Sequence, residues 1–116
     1  MIDNKRTVER YMEAFGVGDH AEVLACLADD VEWEVPGTFQ LSGKEAFDRE
    51  MANPAFTGTP HITVTRVISD GDIVIAEGSV RTQTAKGEEL ELRFCDVFEL
   101  RDGRIRKLTS YLMPVH

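Results

Sequence analysis

The chain has 116 residues, of which 42% are hydrophobic, and it carries a net charge of −8 at neutral pH. These values fit a packed globular domain with one core, and they exclude a disordered segment. The acidic excess disfavours contact with phosphate backbones, so neither nucleic acid nor an anionic membrane is an expected partner.

The cysteines and histidines indicate a cytoplasmic protein that uses no metal or other cofactor. Cys26 and Cys95 lie far apart and form no CxxC pattern, so we expect reduced thiols. His20, His61 and His116 do not have the spacing of metal ligands. No apolar run approaches the length of a membrane span, and the charged N-terminus differs from a signal peptide.

The first predicted element is a helix that begins after Asp3 or Asn4 and ends near Phe15. Its apolar residues recur at helical spacing and form one stripe: Val8, Tyr11, Met12 and Phe15. Gly16 stands where a left-handed C-cap is expected. The pattern therefore predicts an amphipathic helix packed on a core.

Two more helices are predicted from capping-box patterns, Asp19 with Glu22 and Ser42 with Glu45. The inward side chains of these helices are expected to be Val23, Leu24, Leu27, Phe47 and Met51. A strand over residues 31–35 separates the two helices and ends at Pro36-Gly37. Asn53-Pro54 is expected to end the third helix, before a loop over residues 55–60.

The remainder of the chain predicts antiparallel strands. One strand spans residues 61–69, a second spans 73–84, and the stretch 88–112 forms a final hairpin around Asp102-Gly103. Helices cluster early and strands late, which predicts an α+β fold with the helices on one face of a curved sheet. We expect a single domain over residues 1–116.

The first strand of the final hairpin contains a misplaced carboxylate. Alternation puts Asp96 in a row with apolar side chains: Leu90, Leu92, Phe94, Phe98 and Leu100. An acid in a core-facing row is costly unless it is paired, hydrogen-bonded or protonated. Asp96 is therefore the main functional candidate, and the alternative is a buried structural carboxyl.

Three segments together resemble a known family. They are "ERYMEAFGVGDHAEVLACLADDVEWEVPG", "LSGKEAF" and "FCDVFELRDGRIRKLTSYL". They resemble the SnoaL-like and ketosteroid isomerase-like proteins of the nuclear transport factor 2-like superfamily. The resemblance implies a cone-shaped, cystatin-like fold with a pocket at one end. It also implies a homodimer through the outer sheet face, which would carry Cys95 and Val97, and Thr109 if the last strand turns that residue outward.

The resemblance also assigns roles to two residues. Tyr11 matches the oxyanion-binding tyrosine of ketosteroid isomerase, and Asp96 matches the protonated aspartate that donates a hydrogen bond in that enzyme. Both donors would stabilise the negative charge of an enolate formed from a carbonyl compound. The general base of that isomerase has no counterpart, because Val35 occupies its position. Glu32 and Glu34 are expected on the opposite face of the strand.

Two related activities lack their acidic residues in this chain. Limonene epoxide hydrolase, which resembles the chain in fold, uses an Asp-Arg-Asp set, whereas the matching positions are Gly78, Val80 and Ser110. Polyketide cyclases of the superfamily use an acid near the end of the last strand, and "SYLMPVH" offers none. The resemblance therefore predicts the fold more sharply than the reaction.

The expected pocket is mainly apolar. Its lining is predicted to be Phe15, Trp33, Val35, Phe39, Phe47, Met51, Phe56, Phe94, Leu108, Ser110 and Leu112. The same aromatic spacing also fits an ordinary core, and Tyr11 could be a core aromatic bonded to Asp96.

Two loops decide which side chains lie near Asp96. A two- or four-residue loop at 85–88 would place Glu77 beside it, whereas a three-residue loop would turn Glu77 to solvent. A two-residue turn at Asp102-Gly103 would bring Thr109 and Tyr111 to Asp96. A three-residue turn with a glycine bulge would instead bring the residues that we prefer there: Leu108, Ser110 and Leu112.

The leading hypothesis is a protein that binds, and could transform, a small apolar molecule bearing a carbonyl group. Tyr11 and Asp96 would be its polar pair. The competing hypothesis is a non-catalytic ligand carrier or a dimeric interaction module of the same fold. A polyketide cyclase-like activity with a displaced acid is a third reading.

Overall fold

The structure is a computed structural model that describes residues 3–52 and 56–115, without the side chains of residues 56–60. The elements in chain order are α1 (Asn4–Val17), α2 (His20–Ala25), β1 (Leu27–Val35), β2 (Phe39–Ser42), α3 (Lys44–Met51), β3 (Phe56–Asp70), β4 (Ile73–Thr84), β5 (Glu89–Arg101) and β6 (Arg104–Pro114).

In the described part of the chain, six strands form one sheet in the order β2-β1-β6-β5-β4-β3. The pairing of β1 with β6 is parallel, and the other pairings are antiparallel. The long strands β3, β4, β5 and β6 follow one another as hairpins, as the late run of alternating sequence predicts. The helices pack on one face of this sheet, which confirms the α+β prediction.

Helix α1 begins as predicted but ends later. The Asp3 carboxylate accepts a hydrogen bond of 3.1 Å from the backbone N–H of Arg6, which caps the helix. The helix runs past Gly16 to Val17, and Gly18 supplies the left-handed C-cap with φ 75°. The prediction that Gly16 is the C-cap is therefore wrong. A second glycine two residues later allows one more half-turn before the reversal.

The two capping-box predictions have different outcomes. Asp19 caps α2, because its carboxylate accepts a hydrogen bond from the Glu22 N–H. Ser42 does not cap α3, since it ends β2, and Gly43 takes the N-cap position without a side-chain bond. The predicted inward residue Phe47 of α3 is fully buried. Leu27 is also buried, but it begins β1 rather than belonging to α2.

The strands extend further than the alternating pattern predicts. β1 begins at Leu27, four residues before the expected start, and the short strand β2 was not predicted. β3 begins at Phe56, so residues 56–60 form a strand rather than the expected loop. The break expected at Asn53-Pro54 lies outside the described residues. β4 has the predicted bounds of 73–84.

The final hairpin has a two-residue turn rather than the three-residue turn that we preferred. The side chains of its second strand nevertheless face as the three-residue turn predicts. Asp102 and Gly103 form a two-residue turn with φ values of 54° and 76°, as the type I′ turn requires. A bulge then interrupts the pairing, because Leu100 pairs with Ile105 but Glu99 pairs with Lys107. The extra residue shifts the alternation of side chains along β6 by one position. Leu108 and Ser110 therefore lie on the same face of the sheet as Asp96.

The core lies between the helices and the inner face of the sheet. Fully buried side chains come from both layers: Val8, Val23, Phe47, Val74, Phe98, Ile105 and Leu108. Their spacing in sequence follows the helical and strand periods. Among the described residues, no helix combines the length and hydropathy that a membrane crossing needs.

Candidate functional site

Asp96 lies in the middle of β5, on the inner face, as predicted. It pairs with Ala76 of β4 and with Ser110 of β6. Its neighbours along the face are the buried rings of Phe94 and Phe98, and Asp96 itself is 8% exposed. The carboxyl group is therefore held among apolar side chains in the interior.

Burial changes the acidity of this group. The low-dielectric surroundings raise the pKa of Asp96 from 3.8 to about 7, and a hydrogen bond from Ser110 opposes the rise. Near neutral pH the carboxyl thus exists in both protonation states. Such a group can donate a hydrogen bond when it is neutral and accept a proton when it is ionised.

Ser110 connects Asp96 to a residue on another strand. The indole Nε1–H of Trp33, on β1, donates a hydrogen bond of 3.1 Å to the Ser110 hydroxyl. Ser110 is 4% exposed, so the bond is buried. Trp33 and Ser110 are both predicted lining residues, but no sequence pattern links the two. The contact joins β1 to β6, and no local pattern predicts a bond across a parallel pairing.

Tyr11 enters the same region from α1. It is 2% exposed, and its ring packs edge-on against Phe98, at 5.4 Å between centroids, and against Phe47 at 6.3 Å. Burial raises the pKa of Tyr11 well above 10, and the charges of Asp96 and then Cys26 add to the rise. The phenol therefore stays protonated at neutral pH and interacts electrostatically with Asp96.

Aromatic rings surround the indole of Trp33. It stacks on Phe47 at 4.4 Å and meets Phe39 edge-on at 5.1 Å and Phe15 edge-on at 6.4 Å. Phe15 also touches the ring of Tyr11 at 5.8 Å. Four of the predicted aromatic residues, Phe15, Trp33, Phe39 and Phe47, thus form one contiguous cluster that also contacts the ring of Tyr11.

The family follows from the sequence comparisons. The sequence profile of the SnoaL-like domain family matches residues 8–108. The chain belongs to this family. An uncharacterised protein of Mycobacterium tuberculosis is 35% identical over 111 residues, covering 90% of this chain and 84% of the relative. A relative from Mycobacterium bovis, also uncharacterised, matches with the same identity and coverage.

Several solved structures are similar to this SnoaL-like chain, and their names differ in the activity that they give. A putative polyketide cyclase from Xanthomonas campestris is 27% identical, with a TM-score of 0.82 and coverage of 94% of this chain and 92% of that one. A putative ketosteroid isomerase from Kribbella flavida is 24% identical, with a TM-score of 0.78 and coverage of 97% and 79%.

An LEH-like epoxide hydrolase from Mycobacterium tuberculosis is 24% identical, with a TM-score of 0.83 and coverage of 95% and 82%. The neighbours also include NTF2-like proteins of unknown function, among them one from Burkholderia pseudomallei at 24% identity. It has a TM-score of 0.86 and coverage of 97% of this chain and 92% of that one. The nuclear transport factor 2-like fold that we predicted is therefore confirmed.

The other predicted lining residues of this SnoaL-like chain divide into three groups. Those buried in the core are Val35, Phe47, Phe94 and Leu108. Those partly buried against it are Phe15, Phe39 and Met51. The side chain of Phe56 lies outside the described residues.

Leu112 lies on the predicted face, opposite the buried Phe94, but it is 44% exposed. The strand residues 111–114 are all exposed, so β6 runs beyond the packed core at this end.

The acidic residues that we considered as bases do not meet Asp96. Glu77 pairs with Cys95 on the outer face, as a three-residue loop at 85–87 requires. There it forms an ion pair with Arg66 at 2.5 Å. Glu34 pairs with Thr109 on β6, on the face opposite Val35. Among the described residues, no cluster of three or more His, Cys, Asp or Glu is arranged to hold a metal ion.

Three clefts on the described surface lie away from the polar pair. The largest, of about 620 Å³, lies between α1 and β3 and is lined by Glu9, Met12 and Ile62 among others. A second, of about 480 Å³, contains Cys95 and Tyr111 of the outer face. The third, of about 470 Å³, lies beside the turn at Asp102. Tyr11 and Asp96 line none of these clefts, so the pocket at the pair stays a prediction.

Proposed function

We propose that this SnoaL-like protein binds a small apolar molecule through a carbonyl or phenolic oxygen held by Tyr11 and Asp96. The observation that carries the proposal is the carboxyl of Asp96, buried among aromatic rings with a pKa near 7. Burial makes each hydrogen bond to a ligand oxygen stronger than in water. The surrounding rings supply the apolar contacts that such ligands need.

We further propose that Tyr11 and neutral Asp96 act as oxyanion donors if the bound carbonyl compound is transformed. The raised pKa of Tyr11 supports a phenol that donates without ionising. Each such donor would contribute about 2.7–4 kcal/mol to lowering a barrier. A reaction of the ketosteroid isomerase type would also need a base, and Val35 occupies the family's position for it.

Two assays test these proposals together. Binding of estradiol, a steroid with a phenolic ring, is measured by calorimetry, and isomerisation of a 3-keto-Δ5 steroid is followed by absorbance. We expect Tyr11→Phe to weaken estradiol binding about tenfold or more, because it removes a buried hydrogen bond. Asp96→Asn should also weaken binding, because an amide N–H is a weaker donor than a neutral carboxyl. Turnover that both variants lose would support the isomerase reading.

Matched controls exist for both variants. Tyr111, the second of the two tyrosines, is 53% exposed on the outer face, and Tyr111→Phe should bind like the wild type. Asp70 is an exposed aspartate at the end of β3, and Asp70→Asn should also have no effect. Equal affinity of all four variants would contradict a site at the pair.

The second candidate is a non-catalytic carrier or interaction module of the same fold. The valine at the position of the base supports it. Estradiol binding that depends on Asp96, without turnover, would favour the carrier. The polyketide cyclase reading rests on the neighbour of 27% identity, whose activity is itself putative.

We also propose a cytoplasmic homodimer that pairs through the outer sheet face. Both cysteines are free thiols, Cys26 buried and Cys95 half-buried, which agrees with a reducing compartment. By strand register, the outer face that carries Cys95 and Val97 also carries four exposed apolar side chains: Ile68, Ile73, Tyr111 and Met113. Such a surface is suited to pairing with a second copy.

A further inference from the structure

Trp33 determines which groups donate and which accept in the hydrogen bonds near Asp96. Three aromatic rings contact its indole: Phe15, Phe39 and Phe47. These contacts fix the ring plane, and the plane fixes where the Nε1–H points. Indole Nε1–H is a donor with no acceptor capacity. The bond of 3.1 Å to the Ser110 oxygen therefore runs in one direction only.

Ser110 passes this direction on to Asp96. A serine hydroxyl has one hydrogen, and its oxygen can accept further bonds. Because the oxygen already accepts from Trp33, the hydroxyl hydrogen is free to be donated to the carboxyl of Asp96, which lies directly opposite in the strand pairing. The three groups thus form a chain from indole to hydroxyl to carboxyl.

We propose that Trp33 and Ser110 are positioning residues that hold one carboxyl oxygen of Asp96 as an acceptor and direct its proton to the other oxygen. A carboxyl oxygen that accepts a bond from Ser110 is a poor site for the acid hydrogen, because the carbonyl oxygen of a neutral carboxyl is a better acceptor than its hydroxyl oxygen. The second oxygen then carries the proton. This inference rests on the proposed function in one respect only: the protonated oxygen of Asp96 is the one that would bind the ligand.

Few other titratable groups act on Asp96 in the described structure. Tyr11, from α1, and Cys95, the preceding residue of β5, interact with Asp96, and Cys26 interacts in turn with Tyr11. Burial raises the pKa of the Cys95 thiol, so it stays protonated around neutral pH. Burial raises the pKa of Tyr11 and of Cys26, so both stay protonated around neutral pH. The β4 residue opposite Asp96 is Ala76, which carries no charge. A titration near pH 7 at this point of the core therefore belongs to Asp96.

The chain offers a direct probe, because Trp33 is its one tryptophan. Its indole N–H gives a single signal in a ¹⁵N-correlated NMR spectrum, which can be followed from pH 5 to pH 9 without ligand. We expect the signal to shift with a midpoint near pH 7, as Ser110 donates more strongly to ionised Asp96. Asp96→Asn should abolish that shift, which assigns the shift to Asp96.

Variants of Ser110 test the link itself. Ser110→Ala should remove the pH-dependent shift of the indole signal, whereas Ser110→Thr, which keeps a hydroxyl, should retain it. The midpoint of Asp96, measured from its side-chain ¹³C signal, should rise by about 0.5–1 pH unit in Ser110→Ala. Trp33→Phe should raise the Asp96 midpoint by less, since the hydroxyl can still donate.

An indole signal that follows Asp96 equally in the wild type and in Ser110→Ala would overturn the inference. An Asp96 midpoint unchanged in both Ser110→Ala and Trp33→Phe would overturn it as well, and the second variant leaves Ser110 in place if the first does not fold. The measurements contain no ligand. Failure of estradiol to bind would therefore count against the proposed function and leave this inference intact.

Discussion

The aspartate at position 96 is the residue whose energetic cost needs the most explanation. Its row of neighbours predicts burial, and the structure puts its carboxyl in the core with a pKa of about 7. The folded carboxyl holds its proton to higher pH than the carboxyl of the unfolded chain. Folding therefore becomes less favourable as pH rises from about 4 to 7, and the loss is complete above pH 7.

This linkage gives a stability prediction for Asp96→Asn. The side chain of the variant is neutral at every pH, so the pH-dependent loss should disappear. The full shift corresponds to about 4 kcal/mol. Between pH 5 and pH 8, the free energy of unfolding of the wild type should fall by about 3 kcal/mol more than that of the variant.

Urea unfolding at several pH values measures this difference. Asp70→Asn, which changes an exposed aspartate, is the control and should keep the slope of the wild type. Parallel pH profiles for the wild type and Asp96→Asn would mean that the carboxyl costs nothing to ionise in the folded state.

At the scale of elements, Gly78 of β4 lies close to the backbone of the neighbouring strand β3. A Cβ built on Gly78 would lie 2.0 Å from the carbonyl oxygen of Thr63 and 3.0 Å from the ring of Phe94. The pairing of β3 with β4 has a bulge beside this point, between Val64 and Arg66. The absence of a side chain at Gly78 therefore allows both the bent strand β3 and the ring of Phe94 to approach the backbone of β4.

Gly78→Ala should accordingly destabilise the fold by about 1–3 kcal/mol or more, since backbone rather than a flexible side chain must move. Thermal and urea unfolding measure the loss. Ser79→Ala, one residue along and on the other face, should change the stability by less than about 0.5 kcal/mol. Equal stability of the two variants would show that the sheet relaxes freely at Gly78.

The turn between β5 and β6 gives a second prediction at this scale. Gly103 has φ 76° in a two-residue turn, where a side chain is strained. Gly103→Ala should cost about 1 kcal/mol, whereas Asp102→Asn should be nearly neutral because Asn adopts the left-handed region readily. Urea unfolding compares the two. A neutral Gly103→Ala would argue against this turn type.

Sequence patterns predicted the elements that bury long periodic faces, such as α1, β4 and β5. They missed β2, whose four residues carry too little alternation, and the first residues of β3. They predicted a bulge in the final hairpin as part of a three-residue turn, whereas the bulge follows a two-residue turn, although the facing of Ser110 was right. Bulges depend on how two strands fit together, and one strand read alone carries no sign of them.

For the whole molecule, the exposed apolar outer face predicts association. Val97→Arg would place a charge in the centre of that face and should convert a homodimer into a monomer in light scattering. Val17→Arg, at the exposed end of α1, is a matched change elsewhere on the surface and should leave the dimer intact. A wild type that is monomeric at high concentration would refute the proposed pairing.

At the same scale, the fold was more predictable than the site. Helices followed by hairpins restrict the chain to a few architectures, and the family match confirms the one expected. The placement of Asp96 followed from alternation alone. Its bond to Ser110, and the bond of Ser110 to Trp33, depend on packing between distant strands. These three residues are far apart in the sequence, so no periodic pattern predicts that they bond to one another.

The central claim is that the core holds a carboxyl that titrates near neutrality. The most direct test is the pH titration of the side-chain ¹³C signals of the aspartates, with the Asp96 signal assigned by its loss in Asp96→Asn. The account predicts a midpoint of about pH 7 for this signal. A midpoint near pH 4, the ordinary value for an aspartate in water, would contradict it.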